Sequence, residues 1–260
     1  MKDPKDFLGA GILVMVGLGL LIWYIALHPA PRAPMGTNSG TATTTQKTFA
    51  DHQPYYTIDA VYPATTPLAV TAGASADELA TAAMSDFIAT TTTQFKNENN
   101  LDHLTANDIT VQNLGGDIKY TLDISYDTYA STHTLSYVFK LYEDTLGAHP
   151  NGYYKTFTFD SSSGAQLQLA DLFTPGSNYL DTLSALTRAS LNASLGEDAI
   201  PDFINPGTTP DAANFQNFAL DGVDLVIIFP PYAVGPYSIG PQTVRIPLSQ
   251  LDTILNPEFQ

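Results

Sequence analysis

Two neighbouring runs, 117-DIKYTLDISYDT-128 and 132-THTLSYVFKLYE-143, decide the fold class. Each alternates apolar and polar residues and is rich in Tyr, Ile, Val, Phe and Leu, the period-two pattern of a strand with one buried face. Only residues 129–131 separate them, so an antiparallel hairpin is the economical reading. Working outward, 153-YYKTFTF-159 is a further strand that ends at Asp160 and the Ser161 to Gly164 turn, and 165-AQLQLADLF-173 resumes the alternation. Upstream, 55-YYTIDAVY-62 places Tyr56, Ile58, Ala60 and Tyr62 on one side.

Helices flank this strand-rich centre. Ser75 and Glu78 stand at capping-box spacing, and Ala80, Met84, Phe87, Ile88, Thr91 and Phe95 then recur at helical spacing, which predicts a helix over about 76–97. A second is predicted over about 177–195, through Leu180, Leu183, Leu191 and Leu195, with Gly196 as its C-terminal cap. After a polar, Pro-containing connection at 201–213, Asp221-Gly222 separates 215–220 from the apolar run 223-VDLVIIF-229 and predicts a type I′ hairpin. The stretch 230-PPYAVGPYSIGP-241 excludes a helix; a last strand, 242–248, and a short helical end at 249–255 follow. The expected architecture is α+β: a mainly antiparallel sheet with two packed helices.

The N-terminal part reads differently. Residues 7–27 carry no formal charge, and as a helix they would be about 31 Å long, enough for a bilayer core of roughly 30 Å. A membrane anchor over 7–28 is therefore expected, with 1–6 as a short cytoplasmic tail and the body outside. A cleaved secretory signal is the alternative, but the run exceeds the usual apolar region, and no small-x-small site precedes the prolines. Residues 29–50 combine prolines with a Thr run, Gly and Ser and read as a tether.

Composition narrows function. The 260-residue chain has 10 basic and 26 acidic residues, a formal net charge of -16, and no cysteine. Four bases but only two acids lie in residues 1–50, so the body from Asp51 onward has a net charge of -18. A nucleic-acid partner is excluded for want of a basic surface, and disulfides, thiolate metal sites and a Cys nucleophile are excluded outright. No HExxH, zinc or EF-hand pattern occurs, so neither metal nor cofactor is expected. The Asp123/Asp127 and Asp221/Asp224 pairs lack a calcium loop, His52, His103 and His133 are isolated, and Ser161 to Ser163 lie outside any GxSxG elbow. Asn192-Ala193-Ser194 matches a glycosylation sequon within a predicted helix.

Two blocks carry a resemblance. Gly147-Ala148-His149-Pro150-Asn151, the strand Thr156 to Asp160, the Ser-rich turn, Leu167, Leu169 and Asp171-Leu172-Phe173 form the first; Phe229 to Leu248 forms the second. Together they resemble a bacterial extracytoplasmic family typified by the anti-sigma factor RsiV and the non-catalytic region of the peptidoglycan deacetylase PdaC. The opening strand, Tyr62-Pro63 and the first helix are similar to the partner domain that precedes it. The resemblance implies an N-terminal subdomain at 51–145, a C-terminal subdomain at 146–260, and an envelope binding module that is not an enzyme. Its implied partner is a basic, lysozyme-like protein or peptidoglycan. With six residues before the span and an end at Gln260, neither a sigma-factor-binding segment nor a separate deacetylase domain is expected.

Binding candidates are His149, Tyr232 and Tyr237. His149 either contributes to an exposed recognition surface, as the family motif implies, or shapes a bend. Tyr232 and Tyr237, with Phe229, either present rigid rings to a partner or pack beneath the crossover. The competing reading is a glycan-acting enzyme with His149 and nearby Asp residues as acid and base, which requires a pocket holding them in hydrogen-bond reach. A structural or assembly role is the third.

Overall fold

The computed structural model describes residues 44–260. The expected tail, the anchor over 7–28 and most of the tether lie outside the described residues. Among those described, no helix is long and apolar enough to cross a membrane.

The 117–143 runs form the expected hairpin: β3 (Tyr120–Ala130) pairs antiparallel with β4 (Thr134–Asp144), Tyr126 opposite Phe139. They occupy the middle of a six-stranded sheet ordered β1-β2-β3-β4-β5-β6, completed by β1 (Gln46–His52), β2 (Tyr56–Pro63), β5 (Asn151–Asp160) and β6 (Gln166–Leu167). All pairs are antiparallel except β2 with β3. A parallel pair needs a long crossover, here residues 64–119 with α1 (Leu68–Thr71), α2 (Ala74–Glu98) and α3 (Ala106–Val111). Ala76, Ala80, Met84, Ile88, Thr92 and Phe95 of α2 are buried, one stripe at near four-residue spacing. That stripe covers Ile58, Leu122, Ile124, Tyr137, Phe139 and Phe157 of the sheet. Phe87 meets Phe139 and Phe157 edge to face at 5.4 and 5.8 Å.

The expected Ser75/Glu78 cap does not form. The helix starts at Ala74, and Gly73, at φ +95°, is its N-cap. Asp77 instead accepts a hydrogen bond from the Thr66 amide, tying the first turn to the crossover. A capping box does form at α3, where Thr105 and Asp108 satisfy each other's amides.

The single-sheet expectation is corrected by a second sheet of three strands, β7 (Phe218–Asp221), β8 (Asp224–Phe229) and β9 (Gln242–Pro247), ordered β7-β8-β9. Ala219, Val226 and Ile228 pack against Val138, with Tyr129 and Tyr154 alongside. The opposite face, through Leu225, Ile227, Val244 and Ile246, meets α4 (Tyr179–Leu195) and α5 (Pro201–Gly207) at Leu183, Leu191 and Ile204. The layers thus run helix, sheet, sheet, helices. Because β4 is covered on both faces, its polar positions need partners: Ser136 bonds Thr158, and Thr158 donates to the Phe218 carbonyl.

Four further expectations change. Residues Gln46–Ala50, read as tether, belong to β1; an exposed edge strand held by backbone pairing to β2 needs no apolar periodicity. The alternation at 165–173 yields only β6 and then a 3-10 turn, Leu169–Leu172. The Pro-containing connection holds α5, with Pro201 in its first turn, where a missing N–H costs nothing. The Asp221-Gly222 hairpin forms, but Asp221 pairs with Asp224, so Gly222 and Val223 are the central residues. Gly222 has φ +60° and Val223 has no positive φ, the pattern of a type II′ rather than a I′ turn. The β4–β5 pairing carries the six-stranded sheet across residues 145/146; the buried residues of one hydrophobic core end at Phe159 and those of another begin at Leu169.

Candidate functional site

The 230–241 stretch leaves β8 with Phe229 in the core, 6.3 Å from Phe215, so this ring is not presented outward. Val234 is 1% exposed and anchors the loop. Gly207 at the end of α5 lets the loop close in, since a Cβ there would lie 1.9 Å from the Ala233 carbonyl oxygen. Pro231 rests on Gly152 at the start of β5, where a Cβ would be 3.4 Å from its ring. These contacts set the loop beside the β4–β5 turn that carries His149.

There the structure brings together the three residues singled out from the sequence. The His149 ring stacks on Tyr237 with centroids 3.9 Å apart and planes 18° apart. Its Nε2 lies 2.8 Å from the Tyr232 hydroxyl, and its Nδ1 lies 2.9 Å from the Pro150 carbonyl oxygen. A carbonyl only accepts, so Nδ1 carries the proton and Tyr232 donates to Nε2. Tyr232 is 52% exposed, with φ +71°, a conformation that L side chains rarely adopt. His149 and Tyr237 are half-buried. The loop therefore divides by residue: Phe229 and Val234 feed the core, Tyr232 is exposed, and Tyr237 is half-buried against His149.

Among the described residues no carboxylate hydrogen-bonds His149, which corrects the acid–base pairing of His149 with an Asp. Several of the other residues weighed from the sequence have local partners. Asp221 and Asp224 both bind Arg245, at 2.7 and 2.9 Å; Asp127 pairs with Lys140, and His52 with Asp59. One oxygen of Asp160 accepts the amides and hydroxyls of Ser162 and Ser163. Burial alone would raise the Asp160 pKa, but those bonds hold it below the usual carboxylate range. No cluster of three or more metal-ligating side chains occurs among the described residues.

A second cluster was not foreseen. Asp51 on β1 accepts from Gln53, Tyr56 and Lys96, and Lys96 at the end of α2 also pairs with Asp102 at 3.0 Å. They line a cavity of about 360 Å³. The Gln53 bond, with Tyr56 and Lys96, lowers the Asp51 pKa against the opposing effect of burial; Lys96 is raised, chiefly by Asp102. The one available clue was Lys96 itself, one of six bases in an acidic body.

Comparison with known proteins supports the resemblance read from the two blocks. Residues 170–249 match the family described as "Protein of unknown function (DUF3298)". PdaC, the peptidoglycan-N-acetylmuramic acid deacetylase of Bacillus subtilis, is 30% identical over 139 residues, 53% of this chain and 30% of PdaC. Esterase Rv3036c of Mycobacterium tuberculosis is 29% identical over 139 residues, 52% of this chain and 60% of the esterase. The immunogenic protein MPT64 of the same organism is 28% identical over 140 residues, 52% of this chain and 60% of its own length. The chain thus spans less than two thirds of these relatives. Two solved structures of DUF3298 family proteins share the fold. The one from Bacteroides fragilis has a TM-score of 0.53 at 17% identity, covering 85% of this chain and 96% of its own. The one from Pseudomonas aeruginosa has a TM-score of 0.50 at 14% identity, covering 84% and 97%.

Proposed function

From the DUF3298 match and the likeness to PdaC, we propose that this protein is a binding module of the bacterial cell envelope, held at the membrane by residues 7–28 with its α+β body outside. Its recognition surface is the His149, Tyr232 and Tyr237 cluster, and its ligand is peptidoglycan or a basic, lysozyme-like protein that acts on it. The observation that carries this reading is the cluster itself: two loops 83 residues apart in sequence meet through a stacked and hydrogen-bonded aromatic trio with Tyr232 turned to solvent. Stacked rings offer a large contact area at low entropic cost, suited to a sugar face or a protein surface. The body's charge of -18 favours encounter with a basic partner. Calorimetric titration of the full chain with peptidoglycan fragments and with a basic lysozyme tests it. Binding to one of them that falls at least tenfold in Tyr237→Ala is expected; binding to neither overturns it.

A second reading, hydrolysis of an ester, is favoured by the similarity to Esterase Rv3036c. Its test is release of p-nitrophenol from p-nitrophenyl acetate by the full chain above the rate with heat-denatured chain; equal rates reject it.

A further inference from the structure

We propose that Tyr232 and His149 form a nucleophile–base couple that accepts an acyl group from small O-acetyl esters. This goes beyond binding, and it rests on the ester-hydrolysing reading, to which it gives residues.

Acyl transfer to a side chain requires a hydroxyl, a base positioned to take its proton, and a third group that fixes the base's tautomer. All three stand in that order here. The Pro150 carbonyl oxygen, 2.9 Å from His149 Nδ1, holds the proton on that nitrogen. The lone pair of Nε2 therefore faces the Tyr232 hydroxyl 2.8 Å away. Tyr237, stacked on the imidazole at 3.9 Å, fixes the plane of the ring and so the direction of that lone pair.

The backbone at Tyr232 supports the assignment. A non-glycine residue in the left-handed region costs of order 1–3 kcal/mol and persists only where its surroundings over-determine it. Here they do. Pro230 and Pro231 restrict the approach, the Ala233 amide donates to the Pro230 carbonyl, and Ala233 and Val234 are seated against Gly207 and the second core. The result holds Tyr232 out into solvent, 52% exposed, with its oxygen on the imidazole. Tyr153, 47% exposed on β5, has no imidazole partner among the described residues and serves as an internal control.

The chemistry balances with water as the only co-reactant. The Tyr232 oxygen bonds to the ester carbonyl carbon as its proton passes to Nε2. The tetrahedral adduct collapses, the bond to the alcohol oxygen breaks, and that oxygen takes the proton from Nε2. Water, deprotonated by Nε2, then attacks the acyl carbon. The Tyr232 phenolate leaves, recovers a proton from the imidazolium, and acetic acid is released.

The full chain incubated with p-nitrophenyl acetate, with peptides mapped by mass spectrometry alongside p-nitrophenol release, tests the couple. Acetylation of Tyr232 at least tenfold faster than of Tyr153 is expected. His149→Gln should lower that rate at least tenfold, and Tyr232→Phe should remove the label while leaving the circular dichroism spectrum unchanged. Tyr237→Leu, a change in a positioning residue, should lower the rate, and Tyr237→Phe, which keeps the stacked ring, should restore it. Labelling of Tyr232 no faster than of Tyr153, or a rate insensitive to His149→Gln, overturns the proposal. Undiminished p-nitrophenol release by Tyr232→Phe also overturns it, yet leaves the ester-hydrolysing reading standing. A Tyr232 label without catalytic release overturns both, because the acyl group is then not passed on to water.

Discussion

The Asp51–Tyr56–Lys96–Asp102 cluster and the His149–Tyr232–Tyr237 cluster are both built from polar and aromatic side chains, and they differ in what they leave unsatisfied. In the first, opposite charges meet and every group has a partner: two carboxylates share one ammonium, and the Tyr56 hydroxyl donates to Asp51. It clamps the end of α2 to β1 and β2. In the second there is no formal charge pair; a strained backbone turns a hydroxyl outward on a tautomer-fixed imidazole. Matched charges hold elements together, whereas a strained backbone persists only where its surroundings over-determine it.

The largest effect that would break this contrast is expected at Lys96. Lys96→Ala leaves the half-buried Asp51 and the neighbouring Asp102 without their cation and should cost about 1–3 kcal/mol in urea unfolding. His149→Ala, measured in the same way, should cost less than about 1 kcal/mol, because it removes stacking at the surface and not a charge partner. Equal costs would erase the distinction.

Acid should act through the first cluster. The Asp51 pKa is lowered in the folded state, so its contribution is complete above the ordinary carboxylate value of about 3.9 and is lost as pH falls through the lowered one. The acid-induced loss of stability should therefore be smaller in Asp51→Asn than in the parent when unfolding is followed from pH 6 downward, roughly the window in which carboxylates protonate.

Tyr232→Gly sharpens the comparison from the other side. Glycine adopts φ +71° freely but costs more conformational entropy on folding, so stability should stay within about 1 kcal/mol of the parent. Ligand binding should fall at least tenfold. The smallest effect is expected at Arg245→Ala, where two exposed ion pairs are lost for about 0–1 kcal/mol and binding is unchanged.

Much of this molecule is legible one element at a time. The β3–β4 hairpin, α2 and α4 follow from apolar periodicity, and the β7–β8 hairpin from its Asp-Gly. The turn register slipped by one residue because Gly222 satisfies either primed turn and the Asp221–Asp224 pairing chose between them. The strand β1 is not legible, because an edge strand can be specified by its neighbour's backbone and not by its own pattern. The residues of the candidate site are legible from loop composition and the resemblance, but their hydrogen bonds are not, since nothing in sequence records that Pro231 rests on Gly152.

By itself the sequence determined the β3–β4 and β7–β8 strands and the two long helices, that the body is acidic and free of thiol chemistry, and which loop carries the tyrosines. These are consequences of local periodicity and composition, which act within a few residues. Only the tertiary structure decided that the strands divide into two sheets packed face to face, that Lys96 is held by two carboxylates, and that His149 meets Tyr232 across 83 residues. Apart from Lys96 with Asp102, those contacts are long-range, and close packing of the two cores fixes them once the loops have no other way to satisfy their buried backbone groups.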